Sequence, residues 1–202
     1  MSNSVSYPLC HRFGLSFSSF EDRLILSSEL STGPVRVLLT RSIVIKIVKS
    51  LLTHLPTISK LDRTPRALWQ EALNLSHQQA LKQQDQTKQL PTDTSLKSGP
   101  TTYNVNPDPN TTTIETKLYL ATDVNSQPQD QHLMLGLIGL VIPQAMVTAS
   151  PHLPILALAL ETQHLHQLLQ MFLNKATEAQ WNIPVDLPWM TEAPAAQRMY
   201  SH

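Results

Sequence analysis

Twice in this chain a β-favouring run passes directly into an amphipathic helical pattern. The first seam is VRVLLTRSIVIKIVKSLLTHL, residues 35–55, and the second is ILALALETQHLHQLLQMFLNKA, residues 155–176. A strand feeding straight into a helix ties the apolar side of one to that of the other, so both must close on a shared core. Stepping 100° per residue from Ile43 gathers Val44, Ile47, Val48, Leu51, Leu52 and Leu55 on one side of the first helix. Lys46, Lys49, Ser50 and Thr53 take the other side, and Ile45 falls at the far margin of the stripe. In the second helix Leu165, Leu168, Leu169, Phe172, Leu173, Ala176 and Ala179 form the stripe, with His164 and His166 on its two edges. An offset of 121 residues sets Val37 on Leu158, Leu39 on Leu160, Val44 on Leu165 and Val48 on Leu169. The match is one of pattern rather than identity.

Other elements follow from local signals. DRLILSSEL, residues 22–30, and VRVLLT, residues 35–40, are β-favouring runs separated by Gly33-Pro34, which predicts a hairpin. Pro56 is expected to stop the first helix, and Thr64-Pro65 to start another whose stripe runs from Leu68 to Ala80. ETKLYLATDV alternates as a strand with one wet face, SQPQDQ reads as a turn, and HLMLGLIGLVI is apolar on both faces, as in a central strand. Gly136 and Gly139 within it mark a bulge or close approach. From residue 84 to 116 only Leu90, Leu96, Tyr103, Val105 and Ile114 are appreciably apolar, too few to offset the entropy of ordering.

The expected fold is therefore α+β: a single, mainly antiparallel sheet of about five strands with three helices on one face. Two weakly similar strand-strand-helix halves, residues 21–83 and 117–181, are joined by a flexible linker or long loop at 84–116. Residues 1–20 are expected to be poorly ordered or to form an edge, and 182–202, rich in Pro and Trp, to lie extended as a tail.

Charge is balanced overall but not along the chain. Between Val35 and Arg66 there are seven basic residues and one acid, whereas from Asp108 to His202 there are eight acids and three bases. The basic segment contains no aromatic residue, so base stacking is unavailable there and nucleic acid is not expected as a partner. Cys10 is the only cysteine, which fits a reducing, cytoplasmic setting. The longest apolar run, Leu133 to Ile142, has ten residues and falls short of a membrane span, which needs about 20.

No motif of phosphate-binding, zinc-protease or nucleophile-elbow type is present. His164 and His166 are two apart on a helix and point about 200° from each other, so they cannot share a metal. Cys10 and His11 are adjacent, an arrangement that seldom orients a nucleophile toward its base. No catalytic, cofactor or metal residue is assigned, and no cofactor is expected. What remains is an interaction module of the adaptor, assembly-factor or accessory-subunit kind, non-enzymatic and self-associating. Its docking residues would be Arg41, Ile45, Lys46 and Lys49 on the outer side of the first seam helix, with Trp181 and Trp189 from the tail. The alternative is a small-molecule or metal-binding protein, enzymes included, with a pocket between the sheet and the two seam helices.

Overall fold

Alternation along Arg23–Leu30 buries Leu24, Leu26, Ser28 and Leu30 and turns Ile25, Ser27 and Glu29 the other way. A computed structural model, which describes residues 6–89, 116–185, 187, 189 and 190, places this strand in a seven-stranded mixed sheet. The strands in chain order are β1 (Leu9–Cys10), β2 (Phe13–Ser18), β3 (Arg23–Leu30), β4 (Gly33–Leu39), β5 (Lys117–Gln129), β6 (His132–Ile142) and β7 (Leu153–Glu161). The α-helices are α1 (Arg41–Ile58), α2 (Trp69–Gln89), the single-turn α3 (Gln144–Val147) and α4 (Thr162–Glu178). The class is α+β, as the sequence predicts. The count differs, with seven strands rather than about five and four helices rather than three.

The sheet is mixed: β2–β3, β3–β4, β5–β6 and β6–β7 pair antiparallel, as expected, but β1 with β7 and β4 with β5 pair parallel. Local signals identify strands but carry no information about which distant strand becomes the neighbour. The strand order is β1-β7-β6-β5-β4-β3-β2. Because β1 and β2 are separated by His11 and Arg12 alone, one short segment occupies both ends of this order. The sheet therefore curls until its two edges reach residues 9–18. Cys10 on β1 contacts β3 directly: its Sγ lies 2.9 Å from Ser28 Oγ, and that hydroxyl donates to the Arg12 carbonyl at 2.8 Å.

Both seams lead from strand to helix as expected. Thr40 caps α1, its side chain accepting from the Ile43 N–H at 3.4 Å. Pro56 does not stop the helix, which continues to Ile58 and buries Leu55 and Ile58. That burial offsets the hydrogen bond a proline removes. The inner side of the curled sheet, Leu24, Leu26, Val35, Val37, Leu39, Leu133, Leu135, Leu137, Leu156, Leu158 and Leu160, joins the stripes of α1 and α4 in one core. Val37 and Leu158, Val44 and Leu165, and Val48 and Leu169 are all within it.

Two glycines are required by close approach. A Cβ at Gly139 would collide with the Leu120 carbonyl oxygen, and one at Gly136 would meet the Tyr7 ring at 2.8 Å. Register shifts lie nearby, at Ala121/Asp123 in β5 and Leu137/Ile138 in β6. The expected turn at SQPQDQ is shorter than predicted, because β5 carries Pro128 as far as Gln129. β4 pairing ends at Leu120, so this upper part of β5 is an edge on that side and tolerates a residue without an N–H. Residues 84–89 of the predicted linker continue α2, and 90–115 lie outside the described residues. No helix of the described residues is long and apolar enough to cross a membrane.

Candidate functional site

The six docking residues expected from sequence divide into two groups. On α1, Arg41 donates from Nη2 to the Asn182 carbonyl at 2.6 Å, and Lys46 Nζ lies 2.8 Å from Asp123 Oδ1 on β5. The hydrogen bond from Lys46 holds the Asp123 carboxyl below its ordinary pKa. Both partners of that pair are more than half exposed, so it stabilises the fold by ~0–1 kcal/mol. Ile45 is half-buried and Lys49 exposed. Two of the three cations on this rim therefore already face partners within the chain.

Trp181 and Trp189 turn inward, each only 8% exposed. Trp181 Nε1 donates to Asp22 Oδ1 at 2.9 Å, and its ring meets the Phe17 ring edge-on at 6.2 Å. Trp189 sits edge-on to His77 of α2 and His166 of α4, with ring centroids 5.4 and 5.6 Å away. Asn74 of α2 donates to the Trp189 carbonyl at 2.5 Å, which holds the strap down. Ile183, Val185, Leu187 and Met190 pack against the same core. In this arrangement the tryptophans act as internal packing.

His166 departs from its predicted place at the edge of the α4 stripe: it is 0% exposed. Helical geometry places it beside the stripe, but α2 and the Trp189 strap cover that side as well. Neither ring nitrogen of His166 has a hydrogen-bond partner among the described residues. Burial, and then the charge of neighbouring His77, pushes its pKa down to about 4. His77, bonded through Nε2 to Gln170 Oε1 at 3.1 Å, is lowered by burial against that bond. Among the described residues no three His, Cys, Asp or Glu side chains converge as a metal site would require. Cys10 bonds to Ser28 and to the Arg12 carbonyl, and burial pushes its thiol up, which suppresses the reactive thiolate.

The feature that sequence analysis did not assign is the outer side of the sheet. Cross-strand pairing aligns Ile25, Leu38, Leu120 and Leu140 in one row across four strands. Leu118 and Ile142 stand opposite each other in the next outer row, with Arg36 completing it. Only Leu38 of these is fully buried, flanked by its neighbours, and none belongs to the core that α1, α2 and α4 complete. Just past Ile142, Met146 and Val147 on α3 are 78% and 83% exposed. The signal was present as adjacent apolar pairs such as Leu38-Leu39 and the two-sided run of β6, which also fit a strand covered on both faces. No family model matches the chain, and neither curated proteins nor solved structures give a match.

Proposed function

We propose that this chain is a non-enzymatic interaction module that pairs with a second copy of itself through the outer side of its curled sheet. One observation carries this reading: a continuous aliphatic row, Ile25-Leu38-Leu120-Leu140, outside the core that the helices complete. Apolar area of this kind on a soluble chain gains by being covered, at about 25 cal/mol per Å². Two sheets stacked face to face about 10 Å apart would cover it.

A second copy suits the surface by charge. Arg36 and Glu29 stand on the same outer side, two positions apart along the β3–β4 hairpin. A twofold axis sets each opposite its counterpart's complement, as a self-complementary interface requires. The formal net charge of the whole chain is zero, so copies do not repel one another. The basic rim of α1 is the weaker surface, because Arg41 and Lys46 have internal partners.

Sedimentation of the full chain across a range of concentrations tests the proposal. The wild type is expected to run as a dimer, and Ile25→Asp combined with Leu120→Asp as a folded monomer. A wild type that stays monomeric at every concentration, or a dimer that the double variant leaves intact, would overturn it.

A further inference from the structure

Between β1 and β2 the N-terminal segment leaves one edge of the sheet and joins the other. β1 pairs with β7 only as far as Cys10↔Leu158, and β2 begins its pairing with β3 at Phe13↔Ser28. β7 runs on to Glu161, so a gap opens beside its upper end, and α4 lies across it. The gap is a cavity of about 530 Å³, bounded by the β1–β2 bend, β7, α4 and Gln84 of α2. Its volume falls in the range of about 300–1,000 Å³ that small-molecule sites occupy. It touches α4 but not α1, so it is not a pocket between both seam helices.

The lining has two chemistries. Phe13, Leu160, Leu168 and Met171 offer aliphatic and aromatic surface, with an adaptable thioether among them. Arg12, His11 and His164 supply the polar side, and among the described residues no aspartate or glutamate lines the cavity. Arg12 is exposed and enters no ion pair among the described residues, unlike Lys46 and Lys175. A guanidinium without an ion-pair partner among the described residues, beside an apolar hollow whose described lining holds no acid, favours a negative head on an apolar body. Cations find no counter-charge there, and a fully apolar ligand leaves the Arg12 side unused.

We infer that this cavity is a binding site for a small amphiphilic anion, a carboxylate on a short aliphatic chain, with Arg12 holding the head group. The site is separate from the outer sheet row and does not depend on self-association.

The probes are decanoate, decan-1-ol and decylammonium, titrated calorimetrically into the full-length protein. Decanoate is expected to bind one-to-one and about tenfold more tightly than decanol, the gain of one charge-assisted contact, with decylammonium the weakest. Arg12→Glu should abolish the preference for decanoate and leave decanol unchanged. Ala159→Trp, which puts an indole in the lining, should weaken both. Both side chains are exposed in the wild type, so both variants are expected to fold. Equal binding of the three probes, or no saturable binding of decanoate, would each overturn the inference.

Discussion

Leu26 and Ile25 are neighbours on β3 with nearly the same side-chain chemistry, yet they occupy different environments. Leu26 is 0% exposed in the core with Val37 across from it, whereas Ile25 is only part-buried on the outer side beside Leu38. The same holds across the sheet, where inner Val37 and Leu39 lie beneath helices and outer Leu118, Leu120 and Leu140 do not. The outer side also carries Ser27, Glu29 and Arg36, but its aliphatic residues are of the same kinds as the inner ones. What distinguishes them among the described residues is that α1 and α4 pack on one side only.

The sharpest way to break this comparison is to place the same charge on each side. Leu26→Asp, and likewise Phe172→Asp in α4, should cost more than about 4 kcal/mol, because a carboxylate enters a closed apolar core without a partner. That is a large part of the ~5–15 kcal/mol that holds a domain together, so circular dichroism should show unfolded protein. If either variant melted like the wild type, the assignment of inner and outer sides would be wrong.

The covered region beyond α4 can be tested next. Trp189→Ala removes the ring that closes over His77 and His166, with an expected loss of ~3 kcal/mol in denaturant unfolding. Acid should act on the same place. Folded His166 stays neutral down to about 4, and His77 is lowered as well, whereas the unfolded chain protonates these rings near 6.5. The unfolded state thus binds more protons below pH 6.5. Stability is whole above that value, falls as pH drops toward 4, and levels off below it. The loss assigned to His166 is on the order of 3 kcal/mol, and His166→Phe should flatten the profile by that amount. A wild-type profile without a slope between pH 6.5 and 4 would show that the ring is hydrated.

Smaller effects belong to the outer side. Ile25→Asp alone should cost only about 1 kcal/mol of fold stability, since the new carboxylate keeps contact with water, while it shifts the sedimentation toward monomer. Lys46→Glu with Lys49→Glu should change stability by ~0–1 kcal/mol, because the Lys46–Asp123 pair is exposed on both sides. If that double variant dissociated the protein and Ile25→Asp did not, the docking surface would be the α1 rim instead.

Several elements were legible because their signals are local. The Gly33-Pro34 turn and the apolar stripes around Leu51 and Phe172 depend on residues within one or two turns of each other. β2 carried a legible signal, the alternation of Phe13, Leu15 and Phe17 with Gly14, Ser16 and Ser18, whereas the two-residue β1 gains its order only from long-range pairing with β7. His166 was misplaced at a boundary because a helical wheel shows the sheet-facing side of α4 but not the arrival of α2 and Trp189 on another. The cavity beside Cys10 exists only where the N-terminal segment changes neighbours, a junction of residues up to 162 positions apart in sequence.

The sequence alone determined the α+β class, the two strand-to-helix seams and the inner core stripes, because periodicity and capping act through neighbouring residues. Tertiary structure alone decided the parallel pairs, the curling that closes the sheet on residues 9–18, and the inward turn of both tryptophans. It also set the aliphatic row Ile25-Leu38-Leu120-Leu140 side by side across four strands, on the side away from the helical core. Those outcomes depend on which distant surfaces meet, and an apolar residue carries the same burial free energy whichever partner removes it from water.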